Sequence, residues 1–356
     1  MPTVMGFFWL LLGAMCGGSF GLPSKYIRKD TPWENLWGPF FLFVTIIIPI
    51  ALGPVIVKGF FAVYGQAGWK AMLLPLIFGL LWGLGSMTLG KSFAFIGLSL
   101  AYALNYGAQI ATTWLVPMLT EDRHLIFTPF GYTMFGGIAL CLLGVIACGK
   151  AAMLKERQLG GAAVEAIDAG EKAAKKPRMG IGLAIAIASG ALCACYGLAA
   201  KAGNEISTVA EVQFGNSSIG SAWAVMSVIV WGGAVSSLAY CAGLLTRNGT
   251  WGNFGKPGAG LAIGLALVMA LLHDGAIFLF GLGYGELGNW SLPIGYPVFM
   301  CFAIIVGNFH GFRTGEWRGA GRKSIRWILA GIIILVAGVC VLGLAHAIRA
   351  HGAVAA

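Results

Sequence analysis

Charge is what this chain has least of. Only 10% of its 356 residues are Asp, Glu, Lys or Arg, where soluble proteins carry about 25%. A soluble core of this size would need a far more charged surface to stay dissolved. Acidic residues are the scarcer sign, 13 against 23 Lys and Arg. Patterns that carry enzyme chemistry are missing as well: there is no D-x-x-D pair of carboxylates and no H-E-x-x-H zinc helix. The eight cysteines form no C-x-x-C pair and all lie in apolar segments. A disulfide framework or zinc site is therefore not expected, and they read as small packing residues. No metal or cofactor follows from any pattern here.

Apolar residues and glycine fill the space that charge leaves. The hydrophobic share is 58%, and there are 55 glycines, as expected where helices approach closely in lipid. A span needs about 20 mostly apolar residues. Ten such runs can be placed, near 4–24, 36–57, 71–93, 97–118, 129–149, 180–201, 219–245, 258–282, 291–311 and 327–348. The first resembles a signal peptide but has no basic residue before Phe7, so it is expected to be a retained helix. The longest polar break, 150–179, divides the chain into halves at 1–149 and 180–356 with a linker between them.

The net charge of +10 does not point to nucleic acid, because the bases sit in short clusters between apolar runs. They act better as topology signals. Loops after the odd-numbered runs hold Lys25, Arg28 and Lys29, seven bases in the long linker, Arg247 and Lys256, and five between Arg313 and Arg326. The opposite side holds only Lys58, Lys70, Arg123, Lys201 and Arg349. The first set is expected in the cytoplasm, which leaves both termini outside.

One sentence is written twice. GAMCGGSFGLPSK (residues 13–25) and GALCACYGLAAK (190–201) share Gly-Ala-x-Cys, an aromatic-Gly-Leu and a closing lysine. With five spans per half, the two copies run in opposite directions. The expected fold is all-α, ten transmembrane helices in two inverted five-helix repeats, the arrangement of alternating-access carriers.

An ionisable residue inside the membrane is a candidate for function. Asp274 is the one carboxylate deep in an apolar run, with titratable His273 beside it. It either carries a coupling proton, tuned by His273, or bonds to a facing polar group and holds helices together. Lys91, Asn308 and His310 lie near the cytoplasmic ends of their runs, where interface solvation accounts for them. In the fourth run Tyr102, Asn105, Gln109 and Thr112 recur at helical spacing and share one face. Such groups need partners in lipid, either other helices or a hydroxyl-rich solute. Trp9, Trp82 and Tyr106 offer flat apolar faces of the kind that pack on a sugar ring.

The stretch FGLLWGLGSMTLGKSFAFIGLSLAYAL (78–104) resembles the third and fourth helices of the L-rhamnose–proton symporters, in the drug/metabolite transporter superfamily. Their F-G-x-x-W-G-x-G and G-x-S are matched at Phe78, Gly79, Trp82, Gly83, Gly85, Gly97 and Ser99. GFFW with Pro23 and Lys25, WENLW (33–37), LKER (154–157) and EWRGAGR (316–322) follow in order along almost the whole chain. The resemblance implies ten helices in two inverted halves in a bacterial inner membrane, where the loop charges put both termini in the periplasm, and proton-driven uptake of L-rhamnose or a related monosaccharide. Substrate contact is then expected at Trp82, Tyr102, Asn105, Gln109 and His273, and proton coupling at Asp274 and His273. His273-Asp274 stands where the family carries an aromatic-rich stretch, which implies a changed pocket or a different coupling arrangement. The rivals are a metabolite exporter of the same superfamily, a membrane enzyme, which should show acidic or histidine clusters at one face, and a passive channel.

Overall fold

A computed structural model describes residues 2–120, 123–168, 179–287 and 296–354. Among these residues there are helices and no strands, as a chain in lipid requires, since a helix satisfies its own backbone hydrogen bonds. In order they are α1 (Pro2–Ser19), α2 (Trp33–Leu42), α3 (Ile48–Ile56), α4 (Phe60–Thr120), α5 (Pro129–Asp168), α6 (Met179–Cys193), α7 (Cys195–Ala202), α8 (Asn204–Thr208), α9 (Ser218–Arg247), α10 (Ala259–Leu287), α11 (Tyr296–Arg313) and α12 (Arg322–Val354). Eight stretches among them are long and apolar enough to cross a membrane, and Val298–Arg313 is a shorter apolar helix. Residues 169–178 of the polar stretch and 291–295 at the start of the ninth run lie outside the described residues.

The helices group into two compact units. One comprises Met1–Met87 and Leu192–Ser291, the other Thr88–Ala191 and Leu292–Ala356. Each draws on both halves of the chain, so compactness does not follow the 150–179 break. The polar stretch also begins as helix: α5 continues through Lys150 as far as Asp168. Alanine, leucine and lysine there are good helix formers, and no Pro interrupts the stretch from Lys150 to Asp168.

Two elements show how sequence shapes the spans. The second span, Trp33–Ile56, holds Pro39, Pro49 and Pro54. A helix-interior proline clashes with the carbonyl four residues back. The five residues before Ile48, Phe43–Ile47, widen into a π-turn, which relieves that clash at Pro49. The Thr45 hydroxyl donates to the Phe41 carbonyl at 2.6 Å, satisfying an acceptor in the turn just before the widened stretch.

The other element is α4, whose apolar part Phe60–Thr113 is 54 residues long. As one straight rod it would measure roughly 80 Å, against a hydrocarbon core of about 30 Å. It is not one rod. Its backbone turns left-handed at Gly97, with φ +79°, a conformation only glycine adopts freely. Phe93 and Tyr102 then lie 5.0 Å apart between ring centroids, although nine residues of straight helix would part them by about 13.5 Å along the axis. The chain folds back at Gly97.

Candidate functional site

In the first unit, α10 packs along α1 and α2. Ala262, Ala266, Ala270 and Asp274 recur every four residues along its buried stripe. Three alanines let neighbouring backbones come close, and the next position on that row carries the carboxylate. Asp274 is 3% exposed. Its Oδ1 lies 2.9 Å from His273 Nδ1, while Oδ2 is buried with no hydrogen-bond partner among the described residues. A buried ionised carboxylate with one free oxygen is costly. The pair is chemically suited to hold one proton between nitrogen and oxygen and to release it.

Aromatic rings wall this pair. Phe20, Phe40 and Trp82 have ring centroids 5.4, 5.9 and 5.9 Å from His273, and Tyr196 lies 5.9 Å from Trp82. Trp82 itself is buried, and Gly233 packs so tightly on it that a Cβ there would meet the indole at 2.8 Å. The sequence singled out Trp82, His273 and Asp274. It missed Phe20, Phe40 and Tyr196 as members of the cluster, although a signal was present. Phe20 and Tyr196 are the aromatic residues of the repeated aromatic-Gly-Leu.

The two copies of the repeat also share a packing role. Gly13 meets the α10 backbone, where an added Cβ would sit 3.0 Å from the Ala276 carbonyl oxygen. Gly190 meets the α4 backbone, 2.3 Å from the Asn105 carbonyl oxygen. They part company after the cysteine. Pro23 lies in a short 3₁₀ turn, Leu22–Tyr26, that follows α1, whereas the second copy has alanines and continues as α7.

The polar face of the fourth run lies in the second unit. Tyr102 is fully buried, packed on Phe93, Tyr106 and Gly307. Asn105 is buried and its amide donates to the Ser189 hydroxyl at 2.7 Å, an interhelical bond. Gln109 and Thr112 are half-buried. None of the four is fully turned to lipid.

Motifs far apart in sequence meet within each unit. Glu316 of EWRGAGR accepts from the Leu98 and Ser99 backbone N–H groups at 2.6 and 3.0 Å. It caps the helix that restarts after Gly97, and a Cβ on Gly97 would meet its carboxylate at 2.7 Å. The Ser99 hydroxyl donates to the Asn308 side-chain carbonyl, whose amide donates to Ile304 O at 2.9 Å. Lys155 of LKER lies 5.0 Å above the Trp317 ring. In the first unit the buried Glu34 of WENLW accepts from Asn248 and Thr250, both at 2.9 Å. Charge-assisted bonds of this kind contribute about 1.5–3 kcal/mol each.

Two stretches match enzyme patterns by letter. GGSFG (17–21) spells a nucleophile elbow and GSMTLGKS (85–92) a phosphate loop. Both chemistries need a strand feeding a turn and then a helix. The first instead spans the end of α1 and the turn after it, and the second lies inside α4. In α4 the backbone N–H groups bond along the helix and cannot cradle a phosphate.

Helices that cross a membrane repeatedly, with a titratable pair set among aromatic rings in one of them, define a polytopic membrane protein with a polar centre inside lipid. A family model described as the L-rhamnose-proton symport protein matches residues 2–348, and the chain belongs to that family, one of transporters and not of enzymes. It is 27% identical over 362 residues to a protein of Pectobacterium atrosepticum named L-rhamnose-proton symporter, covering 98% of this chain and 99% of that one. Proteins of the same name from Pectobacterium carotovorum and Salmonella typhi are 28% and 26% identical, over 97% and 96% of this chain and 99% and 98% of theirs.

Proposed function

We propose that the protein is a secondary active transporter that takes up L-rhamnose or a related monosaccharide together with a proton across a bacterial inner membrane. The observation that carries this reading is the His273–Asp274 pair, with Asp274 buried and its Oδ2 unsatisfied beside a half-buried His273 set among rings. Asp274 is the proton carrier and His273 tunes it. Trp82 and His273 contact the sugar. Aromatic faces suit the C–H surface of a sugar ring.

The proposed architecture is ten spans in two inverted repeats. Repeat-related elements converge at the cluster: Phe20 and Tyr196 come from the two copies, and Trp82 and His273 from the third and eighth runs. A pseudo-twofold axis brings equivalent residues together in this way. Four loop contacts support the count, because loops that touch within a unit must lie on one face of the membrane. They are Glu34 with Asn248, Glu316 with Leu98, Lys58 N–H with Asn216 at 2.7 Å, and Gln158 with the Gly321 N–H at 2.8 Å. Ten crossings put each pair on one side. A single crossing by Phe60–Thr113 would separate the first and third pairs, and an uncrossed Val298–Arg313 would separate both the second and the fourth. Reporter fusions after Lys176 and after Ala356 are expected to report cytoplasm and exterior respectively. Both on the same side would retire this count.

Substrate is tested by thermal melting of the purified protein against deoxy-sugars, pentoses and hexoses. A true ligand at 100 times its Kd should stabilise the fold by about 2.7 kcal/mol. Stabilisation by L-rhamnose or a near relative, lost in Trp82→Ala, is the expected outcome. If no sugar stabilises the wild type, the exporter reading takes its place.

A further inference from the structure

Two cavities adjoin where the second and eighth runs begin, on the boundary of the membrane and away from the His273 cluster. One, of mixed lining and about 340 Å³, has the polar side chains of Arg28, Asp30, Asn35, Asn253 and Lys256 on its wall. The other is apolar, about 350 Å³, a groove along Gly38, Leu42, Leu238, Leu245 and Ile263. Phe254 lines both. We propose that together they form a binding site for one anionic phospholipid, with the headgroup phosphate in the polar cleft and an acyl chain in the groove.

The basic groups are held in place before any ligand arrives. Arg28 donates through Nε and Nη2 to Asp30, at 3.2 and 2.9 Å, and through Nη1 to the Pro257 carbonyl at 3.2 Å. Two of its five N–H groups remain for a ligand. Gly258 makes room for this arrangement: a Cβ there would meet Arg28 Nη1 at 2.9 Å, and its φ is +101°. Lys256 is anchored on the Asn253 side-chain oxygen at 2.7 Å and keeps two donors. Asn35 is buried, its amide held by the Thr250 carbonyl at 3.1 Å. Asp30 offsets part of the Arg28 charge, but the two rim segments also carry Lys25, Lys29, Arg247 and Lys256, an excess of positive charge.

An amphiphile fits both parts and a small ion fits only one. The groove opens beside the hydrocarbon-facing sides of α2, α9 and α10, and the cleft lies at headgroup level. Tyr26 and Trp251, 64% and 52% exposed, sit at the same boundary, where aromatic residues favour the interface. Basic pockets between transmembrane helices recognise anionic headgroups, at about 1 kcal/mol per Lys or Arg near the surface. A choline headgroup would bring its own positive charge to the same rim, so phosphatidylglycerol is favoured over phosphatidylcholine.

The purified full-length protein, in neutral detergent with equimolar phosphatidylglycerol and phosphatidylcholine, is examined by native mass spectrometry. Wild type should retain phosphatidylglycerol in preference by roughly fivefold or more. Arg28→Gln with Lys256→Gln should bring the ratio to about one. Gly38→Phe, which keeps the charges and fills the groove, should also lower retention. Gly38 has room for it, its nearest neighbour to an added Cβ being Cys241 at 3.7 Å. Inorganic phosphate at millimolar excess should leave the lipid bound. Equal retention of the two lipids overturns the proposal, as does unchanged retention in the double variant. Displacement of the lipid by phosphate alone would make the cleft a small-anion site and overturn it equally.

Discussion

Asp274→Asn is expected to abolish accumulation of sugar against its gradient while leaving exchange between labelled and unlabelled pools. A potential of about 100 mV supplies about 2.3 kcal/mol per proton, enough for roughly 50-fold accumulation. In the variant the inside-to-outside ratio should fall to about one. Asparagine keeps the shape of aspartate and can still bond to His273 Nδ1, which lies 2.9 Å from the Asp274 oxygen, but it cannot cycle a proton. Exchange requires no net proton movement, so it isolates coupling from binding. Uptake assays in vesicles with an imposed pH gradient provide the measurement. A variant that still concentrates sugar, and still moves protons when sugar is added, would place the coupling proton elsewhere. A variant that fails to fold would favour the structural reading of the pair, because leaving a buried partner unmatched is what destabilises.

Gly79→Ala is expected to produce the largest loss of stability from a single methyl group. A Cβ on Gly79 would lie 2.0 Å from the Ile229 carbonyl oxygen, and one on Gly232 would lie 2.1 Å from that of Leu76. The obstacle in each case is backbone, which cannot rotate aside, so α4 and α9 must separate along their contact. Overpacking of this kind costs about 3 kcal/mol, and the separation would also shift Trp82, one turn further along α4. Gly264→Ala is the control. Nothing lies within 4 Å of a Cβ there, and alanine is the better helix former by about 1 kcal/mol. Thermal melts of the two purified variants should diverge in opposite directions from wild type. Coincident melting of Gly79→Ala and wild type would show that the close approach is not maintained in the membrane.

The sequence by itself determined that this protein is helical and membrane-spanning, because long uncharged runs leave a chain in lipid no other way to satisfy its backbone. It singled out Asp274 for the same reason: a carboxylate far from either surface stands out against alanine and leucine. Its ordered motifs were sufficient to identify the family. Their purpose was not legible, because WENLW, LKER, G-x-S and EWRGAGR are short and each makes sense only with its partner. Tertiary structure decided that Glu316 caps the helix restarting at Gly97 and that Glu34 ties the 248–250 loop. It also decided that α5 continues past Lys150, since periodicity does not distinguish a polar helix leaving the membrane from a polar linker. The rings around His273 belong to three separate helices and the turn after α1. Hydrophobic pattern says which residues avoid water, but only packing chooses which of them meet. The repeated aromatic-Gly-Leu marked Phe20 and Tyr196 in the sequence, and the fold gave that mark its meaning by bringing both to the Trp82–His273 cluster.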